Sequence, residues 1–365
     1  MHILADALRS LQVQLFPHIE DCFGEPLTSK LKQLVTTLEV VRIEQHVSSP
    51  FMRWKGRPVS DRRPLARAFV AKAVYNLPTT LMLREMLLLQ PMLRRICGFD
   101  RRCDVPSEAT FSRAFAEFAL SDLGDRVHRA LVGVHVADQI VMHVSCDSTE
   151  IAAREKPNKK EPIPPKPKRK RGRPAKGHVP EPKELTRLEK QELQSAAEAI
   201  EALPKLCDVG VKRDTKGYKH SWVGWKAHIN WADGSVPLSV ITSSASLHDS
   251  QVAIPLAKRT AEQVTSLYDL MDSAYDADPI HRVSRQLGHI PIIDANRRKG
   301  AAEQFDPAKA VRYNERSTAE RGNSRLKDDF GCRHLRVRGH SKAHLHIMFG
   351  VIALFADQLF KPLLR

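Results

Sequence analysis

The stretch Tyr313-Asn-Glu-Arg316-Ser-Thr-Ala-Glu320-Arg-Gly-Asn-Ser-Arg-Leu-Lys327 decides how the rest of this 365-residue chain is read. At roughly 100° per residue, a helix here places Tyr313, Arg316, Glu320 and Lys327 within about 60° of one another. Ala319, Leu326 and Phe330 form a narrow apolar stripe beside them. One edge packs, and the next presents a carboxylate among cations. Taken alone this is an ordinary solvated face with a Glu-Lys pair. Its meaning depends on two aspartates upstream, each in an apolar, strand-like setting.

The first follows Ile140-Val-Met-His-Val-Ser-Cys146, a β-branched run that ends at Asp147-Ser-Thr, so Asp147 is expected where a first strand expires. Trp222 to Trp231 and Ser235 to Ile241 read as two strands joined by Ala232-Asp233-Gly234, a strong hairpin signal. A helix is expected from about Asp249 to Val264, then a strand Leu267 to Met271 that ends at the second aspartate, Asp272. A helix around Pro279 to Leu287, a strand His289 to Ile293, the Tyr313 helix and an apolar helix from His340 to Leu359 complete the pattern. This order predicts an α/β, ribonuclease-H-like catalytic domain: a mixed five-stranded sheet flanked by helices, with the first and fourth strands as neighbours. Asp147 and Asp272 would then meet, and Glu320 would reach in from the side.

Three converging carboxylates repel one another unless cations neutralise them. Hard divalent ions with oxygen ligands do so, which points to two Mg²⁺, with Mn²⁺ as a substitute, held by Asp147, Asp272 and Glu320. Two such ions about 3.5–4 Å apart serve both phosphodiester hydrolysis and strand transfer. Arg316 and Lys327 are then candidates for the phosphates of a DNA end, and Tyr313 for a hydrogen bond or a stacking contact. The plainer alternatives are that Asp147 caps a turn and Asp272 caps the next helix. Asp208, Asp249, Asp276 and Asp294 are assigned to caps and turns, Asp249 being the first of them to reconsider. His228 and His248 are read as structural hydrogen-bonders.

Lys plus Arg number 58 against 42 Asp plus Glu, giving a formal net charge of +16 and a polyanionic default partner, nucleic acid first. From Leu4 to about Gln139 the recurrences are helical, so residues 1–138 are expected to form an all-α N-terminal domain ahead of a catalytic domain at 139–365. Leu81 to Leu93 is read as the interior of a bundle. Ser107 is read as the N-cap of a helix with Phe111, Phe115 and Phe118 inward. Arg94, Arg95, Arg101, Arg102 and Arg113 fit a DNA surface or ordinary solvation equally. From Arg154 to Lys183 twelve Lys or Arg and eight Pro stand with no aromatic residue, which predicts a disordered or extended insert. Within it Lys168, Arg169, Arg171 and Arg173 surround Gly172 in a segment that resembles an AT-hook for the A·T-rich minor groove; a basic spacer that binds phosphates without choosing sequence is the alternative. Glu184 to Leu203 resumes a helical pattern. The apolar run Ile347 to Ala356 is shorter than the ~20 residues of a bilayer span, so a core helix and no membrane partner are expected. No secretory signal is read at Met1, and the six cysteines form no C-x-x-C pair, so a cytoplasmic, nucleoid-associated chain with reduced thiols is expected.

On these residues the chain resembles the DDE transposases of bacterial insertion sequences, in the group whose third-acid helix carries Tyr-x₂-Arg-x₃-Glu-x₆-Lys. Tyr313, Arg316, Glu320 and Lys327 match that signature without departure. Asp147-Ser-Thr resembles the first-acid motif and Asp272-Ser-Ala-Tyr-Asp276 the second. Gly217-Tyr-Lys, Gly224-Trp-Lys-Ala-His228 and Ser246-Leu-His-Asp249 resemble further motifs around the second and third strands. Pro78 to Phe118 is similar to the helical domain found ahead of the catalytic one. The Lys/Pro insert is the clearest departure. The resemblance implies metal-dependent cleavage at element ends, transfer of the 3′-hydroxyl into target DNA, recognition of terminal inverted repeats by the N-terminal domain, and a homodimer on paired ends. A non-catalytic DNA-binding repressor, a domesticated relic of the same fold, and a structure-selective nuclease are the alternatives.

Overall fold

The computed structural model describes residues 16, 18–22, 24–48, 60–159, 184–213, 217–296 and 305–360. The helices ahead of the sheet are α1 (Ser29–Val41), α2 (Arg63–Val74), α3 (Thr80–Leu89), α4 (Pro91–Ile96), α5 (Glu108–Leu120) and α6 (Leu123–His135). Thr28 and Thr79 cap α1 and α3 by accepting from the Leu31 and Met82 amides. Phe111, Phe115 and Phe118 of α5 are buried, as their spacing predicts, and meet Phe69 of α2 edge-on at 5.9, 4.9 and 6.3 Å. The Leu81 to Leu93 expectation fails. Pro91 holds Gln90 extended and splits the run into α3 and α4, and only Leu83 and Leu87 of α3 are buried while Leu81, Met82 and Leu89 face solvent.

The sheet holds β1 (Ile140–Ala153), β2 (Asp208–Arg213), β3 (Lys219–Ala232), β4 (Val236–Ser244), β5 (Thr265–Met271), β6 (Ile290–Ile293) and β7 (His334–Leu335). Its order is β2-β3-β1-β5-β6, with β4 also paired to β3 and β7 to β1. β3 runs antiparallel to β1, β2 and β4, whereas β5 runs parallel to β1 and β6. The mixed sheet and the adjacency of the first strand to the Leu267–Met271 strand were expected; β2 and β7 were not. The helical pattern read from Glu184 to Leu203 forms two helices, α7 (Arg187–Leu193) and α8 (Ala196–Glu201), because Ser195 opens a second capping box with Glu198. The remaining helices are α9 (Ser250–Ala261), α10 (Asp278–Gln286), α11 (Pro307–Asn314), α12 (Ser317–Asp328) and α13 (His340–Phe360).

Two further departures bear on the site. β1 does not expire at Asp147 but continues to Ala153, because β3 goes on pairing with it as far as Ala152↔Gly224. It is β5 that ends, its last pair with β1 being Ser145↔Leu270. Asp147 and Asp272 each lie two residues beyond that pair and so face one another, beside an edge of β1 that stays open until β7 joins at Ala152. The second departure is a helix break. The amides of Arg316, Thr318 and Ala319 bond three residues back, to Tyr313, Glu315 and Arg316, and this tighter turning separates α11 from α12.

One apolar core runs from α1, α2, α5 and α6 through Trp225, Ile229 and Trp231 of β3 to α13. By length and composition α13 could cross a bilayer, but most of it is buried inside the molecule, the burial expected of a core helix. A second, smaller cluster lies under α9 and α10 and includes Cys146, Ile241, Val252, Met271 and Tyr275.

Candidate active site

Asp147 projects from β1 toward α12, where Asn323 Nδ2 donates to its Oδ2 at 2.9 Å. α12 can lie this close to the sheet because residue 322 is glycine: a Cβ there would stand 2.7 Å from the buried Trp231 ring. Asp272, at the end of β5, accepts the Ala274 amide at 2.9 Å and caps the turn Ser273–Tyr275. Capping and convergence on Asp147 are therefore compatible at this residue.

Burial pushes the Asp147 carboxyl up to about 6; the Ser148 amide opposes this, Asp272 adds to it, and Arg316 and Asn323 counter it. Asp272 is also raised, first by burial and then by Asp249, against the Ala274 amide, Arg316 and Lys212. The charge that both acids share is Arg316. Its guanidinium also binds Glu320 Oε1 at 2.8 Å and lies 5.8 Å from the Tyr313 ring. Glu320 is 60% exposed and is held by Arg316 on the solvent side. Among the described residues no three acidic, histidine or cysteine side chains are gathered tightly enough to hold one ion. The structure thus brings Asp147 and Asp272 together and leaves Glu320 one salt bridge away.

Tyr313 belongs to α11 rather than to the Glu320 helix, and its ring lies 5.0 Å from that of Phe305. Lys327 sits half-buried two turns beyond Glu320. The break before α12 thus removes the single charged edge that unbroken helical phase predicted. Lys168, Arg169, Arg171 and Arg173 lie outside the described residues.

Asp249 proves to be more than a cap. It stands at the start of α9 without a capping bond from its side chain, and instead receives Lys226 Nζ at 2.8 Å. Against burial, His228, Lys226 and a hydrogen bond from Ser148 hold it below the usual carboxylate range. His228 bonds Ser243 at 2.8 Å and His248 bonds Ser250 at 2.8 Å, both structural as expected. Asn323 and Lys226 were not singled out from sequence. The signal for Asn323 was available, since it lies one turn after Glu320 on the same face; Lys226 sits within a motif but is one of many lysines.

Residues 142–356 match the family model described as "Transposase DDE domain", and residues 23–117 match the one described as "Transposase domain (DUF772)". No curated protein and no solved structure matches the chain.

Proposed function

The chain belongs to the DDE transposases of insertion sequences, and on that footing we propose that Asp147, Asp272 and Glu320 are its three catalytic acids in a ribonuclease-H-like domain. The observation that carries this is the facing pair Asp147 and Asp272, both raised by burial and both within the field of Arg316, the residue that holds Glu320. The donor set suits divalent cations: carboxylate oxygens are hard ligands, and Asn323 Oδ1, beside Asp147, is buried without a hydrogen-bond partner in the protein. Mg²⁺ is the proposed ion, with Mn²⁺ as a substitute. When bound, such ions make an attacking water or 3′-hydroxyl more acidic and stabilise the departing oxygen of the phosphodiester.

The protein's own groups then have distinct tasks. Asp147 and Asp272 form the fixed part of the site, one set in β1 and the other in the Ser273–Tyr275 turn. Glu320 is the mobile acid, and turning away from Arg316 brings it toward them. That release frees the Arg316 guanidinium to hold a phosphate of the DNA end, with Tyr313 and Lys327 beside the same strand. The reaction is cleavage at the element ends followed by transfer of the 3′-hydroxyl into target DNA. The helical region 1–138 is proposed to read the terminal inverted repeats and the 154–183 insert to add affinity for DNA, in a homodimer on paired ends within the nucleoid.

The test is cleavage of a labelled terminal-repeat fragment in Mg²⁺. Asp147→Ala, Asp272→Ala and Glu320→Ala should each abolish cutting while leaving binding of the repeat nearly intact. A Glu320→Ala protein that cuts at the parent rate would overturn the assignment.

A further inference from the structure

β2 and β3 pair from Asp208↔Gly224 to Arg213↔Lys219, so this two-stranded arm extends past the last β1–β3 pair, Ala152↔Gly224. It does not run on straight. His220 Nε2 lies 4.0 Å from Glu150 Oε1, although Glu150 pairs with Lys226, six residues along β3 from His220. Straight strand would put about 20 Å between those positions, beyond the joint reach of the two side chains. The bend falls at Gly224, where φ is +155° and a Cβ would stand 2.1 Å from the Ile151 carbonyl oxygen. Trp222 is packed into the arm, with Lys226 Nζ 5.9 Å from its ring; only a glycine fits at 210, since a Cβ there would stand 2.3 Å from the Trp222 indole. The arm therefore arches back over the face of the sheet on which Lys226 and Asp249 pair.

Its charge is concentrated on one pair of strands. Arg213 stands directly opposite Lys219, and Lys212 opposite His220. Like charges across a strand pair destabilise it. All four residues are exposed, and among the described residues no carboxylate forms an ion pair with Lys212, Arg213 or Lys219. The arm lies near the acids, for His220, directly opposite Lys212, reaches Glu150, which is on the same strand as Asp147. Tyr218, 71% exposed, adds an aromatic ring between the basic positions.

We propose that this arched arm grips the phosphate backbone of the DNA segment lying against Asp147 and Asp272, so that the strand to be cut is held between the arm and Arg316. Lys212, Arg213 and Lys219 supply the phosphate contacts, and the bend at Gly224 sets their distance from the acids. The proposal rests on the transposase reading of the site.

The experiment measures binding of a fluorescent 30-base-pair duplex in EDTA by anisotropy, across a range of salt concentrations. Removing one cation from a phosphate takes about 0.9 from the slope of log K against log salt. The triple variant Lys212→Ala, Arg213→Ala, Lys219→Ala should lower that slope by about 2–3, with an unchanged melting temperature. A control carrying Lys190→Ala, Lys205→Ala and Arg285→Ala, which removes the same charge elsewhere, should keep the parent slope. An unchanged slope in the arm variant, or an equal fall in the control, overturns the proposal. The assay needs no cleavage, so a parent that binds duplex but never cuts it would undo the catalytic reading and leave the result for the arm standing.

Discussion

Asp147 is an acid whose environment opposes its own ionisation. Its carboxyl titrates at about 6 in the folded protein against an ordinary value of 3.8. Between those values the folded state keeps a proton that the unfolded chain has lost, so stability falls as pH rises from about 4 to about 6 and is level above that. The penalty is at most about 3 kcal/mol. Asp147→Asn removes it, and the variant without metal should melt a few degrees above the parent at pH 8, with the difference gone at pH 4. The same substitution should erase the rise in melting temperature that millimolar Mg²⁺ or Mn²⁺ gives the parent. Thermal scans at the two pH values, with and without the ions, check both; a metal-induced rise that survives the substitution would exclude Asp147 as a ligand. The approach of Asp147 to Asp272 was legible in the sequence, because strand order fixes which strands are neighbours. The Arg316 hold on Glu320 follows the four-residue spacing of a helix and lay within reach of the sequence; the Asn323 bond to Asp147 did not, since it depends on how α12 seats against the sheet.

Among the elements, α12 shows what that seating requires. Gly322 faces the fully buried Trp231, and an alanine there must displace either the ring or the helix. Gly133 also lies within a helix, α6, but is exposed with nothing within 4 Å of an added Cβ. The same Gly→Ala change should therefore have opposite signs. Gly133→Ala should stabilise by about 0.5–1 kcal/mol through the unfolded chain. Gly322→Ala should destabilise by about 1–3 kcal/mol through overpacking and also slow cleavage, because Glu320 and Asn323 move with the helix. Urea denaturation of the two variants separates the cases, and equal signs would show that α12 is not wedged against Trp231. The elements themselves were unevenly readable. Long periodic segments such as α5 and α9, and the hairpin at Asp233-Gly234, stood out. β2 did not, because Asp208 to Arg213 is short, carries a glycine and ends in charge; nor did the break between α11 and α12, which no proline or glycine marks. The split at Pro91 could have been read from that residue alone.

Taken as a whole, the molecule is tied together by α13, which comes last in sequence yet packs against α1, α2, α6 and β4. The helices α1 to α6 and the sheet therefore share one apolar core, even though a division of labour between them is proposed. A polar latch reinforces the junction: Asp125 of α6 takes Arg259 of α9 on one oxygen and His344 of α13 on the other, the latter at 2.8 Å, and His344 in turn bonds Thr242 of β4 at 2.8 Å. Although burial works against it, His344 and Arg259 hold the Asp125 carboxyl well below the usual carboxylate range. A carboxyl depressed on folding contributes stability that is present above about pH 4 and lost as pH falls further. Removing it strands the Arg259 guanidinium, and breaking a buried pair from one side costs about 3–5 kcal/mol. Asp125→Ala should thus lower the melting temperature near neutral pH and blunt the acid destabilisation that the parent shows below pH 4. Because the core is continuous, both proteins should unfold in a single calorimetric transition. Two resolved transitions in the parent would mean that the helical region and the sheet hold together independently, and that α13 and the Asp125 latch join two bodies instead of filling one.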